Sequence, residues 1–202
     1  MNKNTKSIFN HRTWHKRDYL PHYFEPDLTQ MLTIRIYDSL PKNVTLELQG
    51  NAKENDKVQI RKYEKLLDAG YGSCFFAKRE IAQLIKESLY YYDKRRYLLD
   101  AWVVMPNHLH VMLTPINGFS LTVIMFGLKS YTAKAANKLM NREGAFWYPD
   151  YFDRYIRDQD HYLKAMNYIA MNPVKAGLCE NPEDWEFSSF YKHLAGETPN
   201  AT

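Results

Sequence analysis

A chain of 202 residues, 45% of them apolar, can build one compact domain but not two independent cores, and this content excludes wholesale disorder. The formal charge of +4 suits a polyanionic partner without demanding one. The two cysteines, Cys74 and Cys179, are far apart and form no CxxC pair, which argues against a disulfide framework and a cysteine zinc site. No apolar run approaches a membrane span and Met1 to Asn10 is polar, so the expectation is a soluble, cytoplasmic (nucleoid-associated) protein.

Taken in chain order, residues 1–30 are polar and aromatic, with Pro21 and Pro26, and read as an irregular N-terminal arm. "MLTIRIYDSLP", Met31 to Pro41, alternates as a first strand and is stopped by proline. Asn43 to Asp68 is charge-rich and helical in pattern, ended by Gly70 and Gly72, and reads as a helical insertion over 43–70. Lys78 to Asp93 spaces Ile81, Leu84, Ile85 and Leu89 at helical intervals. Tyr97 to Met105 and His108 to Pro115 are strands joined through Pro106 and Asn107 as a hairpin.

Leu121 to Met140 follows as a helix with Ile124, Leu128, Tyr131, Ala135 and Leu139 on one stripe. Tyr151 to Arg157 is a short strand. Asp158 to Met171 is a helix that Pro173 should stop. The tail from Pro182 is irregular, and 191–202 reads as flexible. This order predicts an α+β fold, an antiparallel sheet covered by helices on one face, and a ferredoxin-like arrangement satisfies it most simply. Residues 31–190 would form the single domain.

The chemistry concentrates in "MPNHLHVML", Met105 to Leu113. In a strand, alternate side chains face opposite sides, so Leu109, Val111 and Leu113 share one face and His108, His110 and Met112 the other. Two imidazoles on one face can hold a divalent ion, although a bare HxH is more often a pair of solvated residues. The helix after Asp158 supplies further groups. Tyr162, Leu163, Met166, Ile169 and Ala170 gather on one side; His161, Lys164, Tyr168 and Asn172 line the other. An amide oxygen at Asn172 can ligate a hard cation, and a phenol at Tyr168 is an oxygen nucleophile once deprotonated. Tyr131 falls on an apolar stripe, so packing explains it, while Tyr151 and Tyr155 stay open. Between Ile116 and Arg142 the charged residues are all basic, Lys129, Lys134, Lys138 and Arg142, a pattern that can track a phosphate backbone.

"AWVVMPNHLHVML", followed by "LKSYTAKAANK", "FWYPDYFDRYIRD", "NYIAMNPVKAGL" and "DWEFSS", resembles the REP-associated tyrosine transposases, within the HUH single-tyrosine group. The resemblance runs from the "LPHYFEPDLTQ" region through Phe190, and the five blocks in this order are far more specific than HxH alone. Asn172 stands where more distant single-tyrosine transposases place Gln.

The resemblance implies a ferredoxin-like core, His108 and His110 as a metal-binding pair, Asn172 as a helper ligand and Tyr168 as the nucleophile. It further implies cleavage and joining of single-stranded or hairpin DNA from repetitive extragenic palindromes, through a 5′-phosphotyrosine. The cofactor would be a divalent metal, Mg²⁺ or Mn²⁺, with imidazole favouring Mn²⁺. Lys129, Lys134, Lys138, Arg142 and Lys164 are the candidate DNA-binding cations, and the chain would act as a monomer or homodimer. Lys164, or the metal's field, would help remove the phenol proton; no residue stands out as general base. The competing readings are a non-catalytic DNA-binding protein of the same fold and a metal-dependent DNA hydrolase.

Overall fold

The computed structural model describes residues 14–17, 20–23, 27–41, 44 and 56–192. Four strands form the central sheet: β3 (Gln30–Arg35), β4 (Tyr97–Val104), β5 (His108–Pro115) and β6 (Phe152–Tyr155). Their order across the sheet is β4-β5-β3-β6, and every neighbouring pair is antiparallel. Ahead of them, β1 (Trp14–Arg17) and β2 (Leu20–Tyr23) pair as a separate antiparallel hairpin. The arm expected to be irregular is therefore paired over those residues. The rest of 1–26, most of 42–55, and 193–202 lie outside the described residues, as does most of the tail expected to be flexible.

The helices are α1 (Asp56–Asp68), α2 (Arg79–Tyr91), α3 (Leu121–Leu139) and α4 (Gln159–Lys175). From β3 onward, with α1 set aside, the order is β-α-β-β-α-β, and with the central pair β5-β3 the sheet has the ferredoxin-like α+β topology. Among the described residues no helix is long and apolar enough to cross a membrane.

Helices cover both faces of the sheet, not one. Leu109, Val111 and Leu113 of β5 join Leu32 and Ile34 of β3 in a core with Ile81, Ile85 and Leu89 of α2 and Ile124, Leu128 and Ala136 of α3. Across the sheet, Met31, Val103 and Met112 pack against Ala165 and Ile169 of α4. A bulge in β4 between Leu99 and Ala101 shifts the alternation by one, so Tyr97 and Leu99 before it and Trp102 and Val104 after it face the same core. It takes Asp100 out of the ladder, where the carboxylate accepts a 3.1 Å bond from the Tyr162 hydroxyl of α4.

Asp158 starts α4 as predicted, its side chain accepting from His161 N–H at 2.7 Å. Pro173 does not stop the helix, which runs on to Lys175. It ends two residues later in a Schellman turn: Leu178 N–H reaches Pro173 O at 2.9 Å, Gly177 N–H reaches Val174 O at 3.0 Å, and Gly177 takes φ +70°. The run-on keeps Tyr168, Asn172 and Lys175 on one rigid element.

The apolar stripe of α3 also differs from expectation. Leu121, Ile124, Met125, Leu128, Thr132 and Ala136 are buried, whereas Tyr131 and Leu139 are exposed. Thr132 can be buried because its hydroxyl donates back to Leu128 O at 2.6 Å and accepts from Trp147 Nε1 at 2.9 Å. The "DWEFSS" segment is ordered on the free edge of β4: Val104 N–H donates to Phe187 O at 2.8 Å and Trp185 Nε1 to Val104 O at 2.9 Å.

Candidate active site

β5 and α4 meet at the histidines. His108 and His110 are both 1% exposed, and their Nε2 atoms lie 3.1 Å apart. They are not solvated surface residues. The neighbouring bonds fix the His108 tautomer. Asn107 Nδ2 donates to Leu67 O at 3.2 Å and Tyr71 O at 3.0 Å, so the amide oxygen must be the atom 2.7 Å from His108 Nδ1. His108 therefore carries its proton on Nδ1 and turns the Nε2 lone pair into the site. His110 Nδ1 sits 2.9 Å from the Thr33 hydroxyl, which can donate or accept. Two bare lone pairs at 3.1 Å would repel, so a proton on His110 Nε2 or a cation must lie between the rings. Burial keeps both imidazoles neutral: His110 is held down at about 3, and His108 well below the usual histidine range with His110 adding to the effect.

α4 lays two side chains over this pair. Asn172 is fully buried, with Nδ2 3.3 Å from His110 Nε2 and with Oδ1 buried and lacking any hydrogen-bond partner. Exchanging the amide's two ends would aim that oxygen at the histidines. Tyr168 packs edge-on against His110, ring centroids 5.2 Å apart, and its buried hydroxyl faces the Glu64 carboxylate and the Asn172 amide without a well-formed hydrogen bond to either. Burial, and then the Glu64 and Asp68 carboxylates, push this phenol well above the ordinary tyrosine range. Tyr168 and Asn172 thus lie one turn apart, as read from the sequence, but on the packed side of α4. Leu163, expected on the packed side, is exposed.

The sequence reading missed the contributors from outside β5 and α4. Asp68, in the last turn of α1, places Oδ1 3.7 Å from His108 Nε2. Its carboxyl is raised to about 6 by burial, an effect Lys175 partly opposes. Glu64, one turn earlier, is raised by burial and then lowered in part by Arg154. Lys175 Nζ stands 5.1 Å from the Tyr168 ring centre. Asn107 looked like a plain turn residue; its signal was the amide immediately before HxH.

The expected DNA-binding cations are scattered. Lys134 and Lys138 are exposed on α3, which packs on the opposite face of the sheet from the histidines. Lys129 is committed internally, donating to Tyr148 O at 2.8 Å and Pro149 O at 2.7 Å, and burial lowers it to about 8. Arg142 donates to Asn137 Oδ1 at 2.7 Å and Ala145 O at 3.0 Å. Lys164 pairs with Asp160 on the outside of α4.

The donor set suits a hard or borderline divalent ion: two neutral imidazole nitrogens face each other, with an orphaned amide oxygen beside them. Among the described residues no three His, Cys, Asp or Glu side chains are gathered as a ready-made metal cluster.

Residues 73–172, which hold the histidines, Tyr168 and Asn172, match the family model described as "Transposase IS200 like". A REP-associated tyrosine transposase of Escherichia coli K12 is 31% identical over 102 residues, 50% of this chain and 59% of that protein. Through this segment, just under half of its length, the chain is similar to the REP-associated tyrosine transposases, within the IS200-like family. A Haemophilus influenzae protein assigned provisionally to the same group is 27% identical over 46% of this chain and 59% of its own length. The chain thus spans about 59% of the length of these curated transposases. A solved structure described as a REP-associated tyrosine transposase bound to a REP hairpin has the same fold. Its TM-score is 0.53 at 20% identity, covering 84% of this chain and 81% of that one. Asp68, Glu64 and all of α1 lie before the segment matched to the transposase family model.

Proposed function

We propose that this protein cleaves and rejoins single-stranded or hairpin DNA by transesterification, with Tyr168 as the nucleophile. The Tyr168 oxygen bonds to phosphorus, the bond to the 3′ oxygen breaks, and the products are a 5′-phosphotyrosine and a free 3′-OH. The phenol gives up its proton and the departing 3′ oxygen takes one up. Because the intermediate is itself a phosphodiester, a 3′-OH can attack it and restore or redirect the joint.

The observation that carries this reading is the Tyr168 hydroxyl, buried beside His110 between the Glu64 carboxylate and the Asn172 amide with no well-formed hydrogen bond. Leaving a buried hydroxyl unsatisfied costs on the order of 1–3 kcal/mol, which packing alone gives no reason to spend. Tyr97, a purely structural tyrosine, donates instead to Leu89 O at 2.5 Å. His108, His110 and Asn172 would hold a divalent ion, Mn²⁺ by preference or Mg²⁺, that supplies positive charge to the scissile phosphate. Asn107 and Thr33 orient the two imidazoles toward it. Burial and the carboxylates keep the resting phenol protonated, and a divalent ion, when bound, would add positive charge beside it. The family match and the hairpin-bound structural relative support single-stranded or hairpin DNA as the partner.

The test is incubation of the protein with labelled hairpin DNA and Mn²⁺, followed by denaturing electrophoresis. Wild type should give a covalent protein–DNA band, and Tyr168→Phe should bind hairpin but give none. Cleaved DNA with free ends and no adduct would favour the hydrolase, and binding without cleavage the non-catalytic reading.

A further inference from the structure

The end of α1 is fastened to the histidine strand by named contacts. Asn107 Nδ2 holds Leu67 O and Tyr71 O at 3.2 and 3.0 Å. Asp38, just past β3, accepts from Ser73 N–H at 3.0 Å, and at Gly72 (φ +87°) any Cβ would fall 2.3 Å from Asp38 O. These contacts set Asp68 beside His108, with Oδ1 3.7 Å from Nε2. That Oδ1 is buried and has no hydrogen-bond partner, the same condition as Asn172 Oδ1.

Two ligands that each sit about 2.1 Å from one ion are roughly 3.0 Å apart at a right angle and roughly 3.4 Å apart at the tetrahedral angle. The two imidazole nitrogens, at 3.1 Å, and the Asn172 amide edge, 3.3 Å from His110, already meet this spacing. Asp68 Oδ1, at 3.7 Å from His108 Nε2, stands roughly 0.3 Å beyond the tetrahedral spacing. We infer that Asp68 is a direct ligand of the divalent ion, giving the site a carboxylate from α1 beside its two imidazoles and one amide. The inference rests on the histidine metal site proposed above. A carboxylate adds a formal negative charge to an otherwise neutral donor set, which strengthens the hold on a hard cation such as Mn²⁺ or Mg²⁺. It also makes metal binding clamp α1 down on β5.

The full chain, without DNA, is titrated with Mn²⁺ and separately with Cd²⁺ by calorimetry, and amide exchange across α1 is followed with and without Mn²⁺. Circular dichroism checks the fold of each variant. Asp68→Asn should weaken Mn²⁺ at least about tenfold and lose the metal-induced slowing of exchange in α1. Asp68→Cys should also weaken Mn²⁺ but bind Cd²⁺ more tightly than wild type, a gain that a structural Asp68 would not produce. His110→Ala should lose Mn²⁺ altogether. Wild-type affinities for both ions in both Asp68 variants, with Mn²⁺ lost in His110→Ala, overturn the inference and leave the histidine site standing. Wild-type Mn²⁺ affinity in His110→Ala removes the histidine site itself, and the inference with it.

Discussion

Along β5, residues of the two sheet faces alternate one by one, yet they meet very different surroundings. Leu109, Val111 and Leu113 enter a core made with α2 and α3, where aliphatic and aromatic side chains fill the space and Thr132 and Trp147 partner each other, with the Gln30 amide opposite Leu113 the one unpartnered group among the described residues of this patch. His108 and His110 are buried just as fully, but against α4 and α1 they meet Asn172 Oδ1, Tyr168 Oη and Asp68 Oδ1, none of which has a well-formed hydrogen bond. A folded protein rarely leaves three such atoms converging in one place. The apolar face is dominated by packed hydrocarbon, while the polar face gathers its unpartnered atoms around two imidazoles, the arrangement the proposed metal site would use.

Substitution at adjacent positions separates the two roles most sharply. His110→Ala should reduce adduct formation by on the order of a hundredfold or more, since even changes behind a metal ligand cost about 10–100-fold. Its denaturation midpoint should move little. Leu109→Ala should do the reverse, losing about 2–5 kcal/mol of stability while each folded molecule keeps its activity. Chemical denaturation together with adduct assays at a temperature where both variants are folded distinguishes them. If Leu109→Ala lost activity per folded molecule and His110→Ala did not, the division between faces would be wrong.

Asn107→Ala tests the connection between α1 and the histidine strand. It removes the acceptor that fixes the His108 tautomer and both bonds to the end of α1. Adduct formation should fall by about 10–100-fold, with excess Mn²⁺ restoring part of it. No change would mean the tautomer is set elsewhere.

The histidine face was legible because strand period two needs only the order of residues, and HxH survived folding unchanged. The start of α4 at Asp158 and the βαββαβ order were legible for similar local reasons. Tyr131 was misplaced because α3 carries apolar residues nearly all round. Val123, Phe126, Tyr131 and Leu139 are exposed while the polar Thr132 is buried, so spacing alone could not choose the stripe. On α4, Tyr168 and Asn172 look like a solvated face until the sheet and α1 close over them. Asp68 could not be seen at all, since it lies forty residues before His108 and reaches it only through the tertiary contacts of Asn107 and Gly72.

The faces should also differ in their hold on DNA. Among the described residues, Lys175 lies beside the Tyr168 ring and Arg154 beside Glu64. Replacing both with glutamine should reduce the slope of log affinity against log salt by about 1.4, at roughly 0.7 per contact on a single strand. Neutralising Lys134 and Lys138, across the sheet on α3, should change the slope much less. Equal effects would mean the DNA wraps both faces.

The most direct measurement is to trap the covalent adduct on hairpin DNA, digest the protein and locate the modified peptide by mass spectrometry. The account predicts the nucleotide on Tyr168, on the histidine face of the sheet. A nucleotide on Tyr131, on α3 across the sheet, or on Tyr151 or Tyr155, would contradict it.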